Sequence, residues 1–214
     1  MKRALACILI VVGLLADAAH AQTWRSTPRI AVVGPTGDSR LGAVDEAVTF
    51  WNRTFAEIGS GFRLGAVSRM VRPIPEEALQ QLSASVLAGG GRTAAFPAAL
   101  RDLPGDITIF LAKTEFISFA SPFNDNSKKI VGIRGTSFAP MNLPNVPRNV
   151  IAHELGHSIG LRHNSDPTML MCGRPSPCRP GLFQSDQPRM FPLTGDEKRF
   201  LLTIYPAGWK PQSQ

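Results

Sequence analysis

Residues 153–163 read His-Glu-Leu-Gly-His-Ser-Ile-Gly-Leu-Arg-His. On a helix, His153 and His157 stand at i and i+4, so both imidazoles leave one face at a spacing that a single metal ion bridges. A third ligand further along a straight helix would sit too far down the axis. Gly160 is the residue that can take a positive φ and turn the chain so that His163 comes back toward the other two. Three neutral imidazoles leave zinc one position for water, as a catalytic site requires. Glu154, beside the first histidine, is then the candidate general base: it can take a proton from the attacking water and return it to a leaving amine. The chain has 4 histidines in all, and the one outside this stretch, His20, lies in the N-terminal leader.

The elements that must hold this constellation are legible in the hydrophobic pattern. Residues 146–159 continue the helical period around the histidines, with Pro147 near the start, where a missing N–H does no harm. Leu41, Val44, Val48, Trp51, Phe55 and Ile58 alternate steps of three and four and predict an amphipathic helix closed by Gly59 and Gly61. Pro75-Glu76-Glu77 opens a second such helix, with Leu79, Leu82 and Val86 on its buried side. Arg29–Val33, Phe62–Val71, Asp106–Leu111 and Ile130–Arg134 are the candidate strands. Thr194-Gly195-Asp196-Glu197 fits a capping box that opens a last helix through Tyr205. Between His163 and Leu193 the chain is Pro-rich and irregular.

Met1-Lys2-Arg3, the apolar run to Ala16 and Ala19-His20-Ala21 predict a cleaved secretory signal over residues 1–21, with no membrane anchor afterwards. Export to the periplasm or the medium follows. The formal net charge of +7 comes from scattered arginines, with no basic stripe interleaved with aromatics, so no nucleic-acid partner is expected. Cys172 and Cys178, both beyond the signal, read as a disulfide closing a small loop, with free thiols or metal ligation as the alternatives.

The stretch 153–163, followed by Asn164-Ser165-Asp166-Pro167-Thr168-Met169-Leu170-Met171, resembles the metzincin zinc endopeptidases, and most closely their matrixin branch. The resemblance is specific over residues 145–206; further upstream it extends only to the order of strands and helices. It implies an α+β catalytic domain over residues 22–206. A mixed twisted sheet and two long helices would form an upper lobe (about 22–160). A small irregular lower lobe (about 161–206) would end in the C-terminal helix; residues 207–214 themselves read as a flexible tail. It also implies one catalytic zinc held by His153, His157 and His163, Glu154 as base, and Met171 (Met169 as the alternative) as the methionine of the turn under the metal.

The implied substrate is an extended polypeptide lying beside an edge strand such as Ile130–Arg134, and the expected state is a monomer. The chain departs from the matrixin pattern in several places. Cys172-Gly173-Arg174-Pro175 replaces the usual Tyr-Pro after the methionine, the histidines of a second zinc are missing, and no cysteine switch precedes the first strand. Asn124-Asp125-Asn126 offers oxygen donors for calcium but reads as an ordinary polar turn. A non-proteolytic zinc hydrolase, or a zinc-bearing interaction module, is the alternative function.

Overall fold

A computed structural model describes residues 24–88, 97–122, 128–173 and 187–212. Its elements, in chain order, are β1 (Ile30–Val33), α1 (Arg40–Glu57), β2 (Val67–Met70), α2 (Glu76–Leu87), β3 (Ile107–Leu111), β4 (Phe119–Pro122), β5 (Lys129–Ile133), α3 (Asn145–Ser158) and α4 (Gly195–Ile204), with a 3₁₀ turn at Ala98–Leu100. The five strands form one mixed sheet in the order β2-β1-β3-β5-β4. β2, β1, β3 and β5 run parallel, and β4 returns antiparallel along β5, with Ala120 opposite Val131.

Parallel strands are stable only when both faces are covered, and the residues on β1, β3 and β5 are buried throughout. One face carries Ile30, Val32, Ile107, Ile109, Val131 and Ile133 against α1 and α3. The other carries Val33, Phe110 and Ile130 against Ala78, Leu79 and Leu82 of α2. α1 ends as expected of a glycine-closed helix. Gly59 takes φ +76°, and its N–H and that of Ser60 return to the Ala56 and Phe55 carbonyls, the double bond of a Schellman motif. α4 opens with the capping box, in which the Thr194 hydroxyl accepts from the Glu197 N–H while the Glu197 side chain accepts from the Thr194 N–H.

Leu170, Met171, Phe191, Leu193, Leu201 and Tyr205 belong to the same buried cluster as the inner sheet face and α1. Two features differ from the sequence reading. Ile130–Arg134 was expected at a sheet edge, but β5 lies between β3 and β4, and the edge is β4. Residues 207–212, expected to fray, are docked instead. Trp209 packs edge-on against Phe62 at 4.9 Å, its indole N–H donates to the Trp24 carbonyl at 3.2 Å, and the Gln212 N–H donates to the Arg25 carbonyl. An aromatic side chain at position 209 had apolar surface to bury, and the rings of Phe62 and Tyr205 supplied the place. Trp209→Ala should therefore cost about 1–3 kcal/mol of stability, read as a lower midpoint in urea denaturation; an unchanged midpoint would mean that the segment is not docked in solution.

Candidate metal centre

α3 is built to present one polar face. Ile151, Ala152, Leu155 and Ile159 are fully buried toward α1 and the sheet. Trp51 of α1 donates its indole N–H to the Ala152 carbonyl at 2.9 Å, which fixes the rotation of α3 directly before His153. The helix ends at Gly160, with φ +107°. The Gly160 N–H bonds to the His157 carbonyl and the Leu161 N–H to the Gly156 carbonyl, a second Schellman motif. This reversal carries the chain back past the histidine face.

The structure brings His153, His157 and His163 together. Their Nε2 atoms form a small triangle: 3.0 Å from His153 to His157, 2.9 Å from His157 to His163 and 3.1 Å from His153 to His163. These contacts are not an ordinary hydrogen-bond network. His153 Nδ1 lies 2.8 Å from the Leu170 carbonyl and His157 Nδ1 lies 2.8 Å from the Leu161 carbonyl. A carbonyl only accepts, so both Nδ1 atoms carry the proton, and in a neutral ring Nε2 is then a lone pair. Burial holds His157 neutral, lowering its pKa to about 4, and burial also lowers that of His163. Lone pairs 3.0 Å apart repel unless a cation lies between them. Three nitrogens each about 2.0–2.1 Å from one zinc ion would stand roughly 2.9–3.4 Å apart, so the spacing fits zinc. The two Nδ1–H···O=C bonds are of the kind that fixes the tautomer and orientation of histidines at metal sites.

Glu154 is buried, and burial raises its pKa from 4.5 to about 8, opposed by the Ala120 N–H, which its carboxylate accepts. That bond ties the base candidate to the edge strand β4. A dication at the histidine triangle would favour the ionised form.

Met171 is fully buried beneath α3: a Cβ added at Gly156 would stand 2.5 Å from Met171 Sδ and 3.0 Å from Trp51 Cζ2. The Met171 carbonyl accepts from the Asn164 N–H, and the Met169 N–H turns back to Asp166; Met169 is only partly buried. Cys172 is buried and disulfide-bonded, while Cys178 and Asn124-Asp125-Asn126 lie outside the described residues. Gly156→Ala gains about 0.8–1 kcal/mol of helix propensity but overpacks this contact at a typical cost of about 1–3 kcal/mol. A net loss of stability is expected in denaturation; a stabilised variant would mean that Met171 moves aside freely.

Four residues given no role at the metal by the sequence reading shape the site. Gly173 lies against the His163 ring, where a Cβ would stand 2.0 Å from His163 Cγ. Ala120 holds Glu154. Asn145 and Asn149, buried on α3, pin the returning chain: Asn145 Oδ1 accepts the Arg189 N–H, Asn149 Oδ1 accepts the Phe191 N–H, and Asn149 Nδ2 donates to the Arg189 carbonyl. Their spacing of four in an otherwise apolar helix face was the one available signal.

A groove of about 650 Å³ lies elsewhere, between α1, Arg148, the 188–193 segment and Lys198. It contains none of the histidines. No described helix is long and apolar enough to cross a membrane.

No family model matches the chain, and no curated relative does. Among solved structures it is similar to an archaemetzincin from Methanopyrus kandleri, with 16% identity over 88% of this chain and 98% of that chain, at a TM-score of 0.48.

Proposed function

We propose that the chain is an exported, zinc-dependent endopeptidase of matrixin-like type that cuts extended polypeptide segments. The observation that carries this reading is the convergence of three imidazole Nε2 atoms, two of them lone pairs by tautomer, on a helix that also carries the buried Glu154 next to His153. His153, His157 and His163 would hold the ion through Nε2. Zinc bound there would bring the pKa of water down to about 7 and polarise a scissile carbonyl.

The rest of the chemistry belongs to the chain. Glu154 takes the proton of the attacking water and delivers it to the departing nitrogen. β4 is the edge strand of the sheet, and its Ala120 N–H meets Glu154, so an extended substrate would lie alongside it by strand addition. Met171 forms the apolar floor under α3. In this reading, a Cys172–Cys178 bridge anchors the loop that follows it, and residues 1–21 are removed on export.

The test is zinc titration of the protein lacking residues 1–21, followed by digestion of an unstructured polypeptide library. Uptake of about one zinc per chain with internal cleavages that a chelator abolishes is expected. Zinc uptake without cleavage of any peptide would favour a zinc-bearing interaction module, and cleavage confined to non-peptide substrates would favour another zinc hydrolase.

A further inference from the structure

α4 touches the histidine turn on both sides. At its N-terminal end, Glu197 Oε1 accepts from Asn164 Nδ2 at 2.6 Å, and Asn164 directly follows His163. At its C-terminal end, the Tyr205 hydroxyl donates to the Ile159 carbonyl at 3.2 Å, and Ile159 directly precedes Gly160. Glu197, Leu201 and Tyr205 are spaced by four and are all buried, so they form one face of the helix. That face spans the reversal from Ile159 to Asn164. Glu197 cannot swing away, because its other oxygen accepts the Thr194 N–H at 2.8 Å in the capping box. Tyr205 is held as well: its oxygen accepts the Trp24 N–H at 3.3 Å, and the Trp24 indole N–H donates to the Ser158 carbonyl at 2.9 Å.

Resting on the zinc reading above, we propose that α4 is a clamp that sets the position of the third ligand, with Glu197 and Tyr205 as positioning residues for His163. The α3 backbone sets the spacing of His153 and His157, and the Leu170 and Leu161 carbonyls hold their rings. His163 stands beyond a glycine with φ +107°, held by backbone bonds at Gly160, Leu161 and Asn164 but by no helix of its own. Glu197 and Tyr205 add side-chain anchors to the two residues that flank the Gly160–His163 segment, and so narrow the freedom that glycine introduces.

The experiment measures zinc affinity by chelator competition, apo stability, and kcat and KM for Glu197→Ala, Tyr205→Phe and the double variant. Leu201→Ala on the same face is the packing control. Glu197→Ala and Tyr205→Phe should each weaken zinc binding about tenfold, the usual scale for outer contacts of metal ligands, and the double variant should lose more than either. kcat at limiting zinc should fall while KM holds. Glu197→Gln, which keeps an oxygen for the Thr194 N–H but sets its own amide N–H2 against the Asn164 Nδ2 donor, should keep the helix cap and still lose affinity as Glu197→Ala does. Leu201→Ala should lower stability with zinc affinity within about threefold of wild type. Should Glu197→Ala fail to fold, Asn164→Ala with Tyr205→Phe makes the same measurement. Affinities unchanged in the clamp variants, or reduced no more than in Leu201→Ala, would overturn the clamp alone. No zinc uptake by the wild type would sink the zinc reading and the clamp with it.

Discussion

On the proposed zinc-peptidase reading, Glu154→Gln should lower peptide hydrolysis by about 10²–10⁴-fold, the range for loss of a general base, while zinc remains bound. The amide keeps an oxygen that can accept the Ala120 N–H and removes no metal ligand, so the effect should fall on kcat. The metal-free protein supplies a second, opposite readout. Burial raises the Glu154 pKa from 4.5 to about 8, so the folded state binds this proton more tightly than the unfolded chain. Stability of the apo wild type should therefore fall as pH rises from about 4.5 through about 8, and this component of the fall should vanish in Glu154→Gln. Wild-type turnover in a zinc-loaded variant would remove Glu154 from the mechanism, whatever the stability profile showed.

Gly173→Ala should be nearly as damaging, by a different route. Its Cβ would lie 2.0 Å from His163 Cγ, 2.3 Å from Cδ2 and 2.4 Å from Nδ1, distances that no rotamer of an alanine can relieve. Either the ring or the Cys172–Gly173 backbone must move, and that backbone is tied by the Gly173 N–H to the Asn164 carbonyl. The ring is the less constrained partner, since His163 is the exposed member of the three histidines. Metal–nitrogen distances tolerate only about 0.2 Å, so zinc affinity should fall by about 100-fold or more, the upper end for outer contacts. Competition with a chromophoric chelator measures this directly. An affinity within threefold of wild type would show that the ring and the glycine are not in contact in solution.

The effect of Glu154→Gln follows from the motif and that of Gly173→Ala does not, and the reason is the range over which each feature is determined. Glu154 and the three histidines lie within one helix and the turn after it, where 3.6-residue periodicity and a single positive-φ glycine set the geometry. Gly173 stands ten positions after His163, and nothing in Cys172-Gly173-Arg174 announces that an imidazole will lie on it. β4 was passed over for a similar reason. Phe119-Ala120-Ser121-Pro122 is short, shows no alternation and carries a proline, which suits only an edge. It is a strand because β5 provides a partner, and only then does the Ala120 N–H come to Glu154. Asn145 and Asn149 read as polar interruptions of a buried helix face until the 189–191 backbone arrives to use them.

The sequence by itself determined what is local: the helical face of His153 and His157, the reversal at Gly160, the apolar stripes of α1 and α2, and the capping box at Thr194 and Glu197. Each depends on residues within a turn or two of one another, so side-chain period and backbone preference suffice. The tertiary structure decided which strand is the edge, that one core runs beneath both expected lobes, that the chain's end docks through Trp209, and that Met171 lies under Gly156. It also decided that Glu197 has a second use, gripping Asn164 beyond its own helix. These contacts join residues far apart in the chain, and their partners are chosen by chain closure and by the demand that every buried donor and acceptor be satisfied. A single sequence states those demands without stating who meets them.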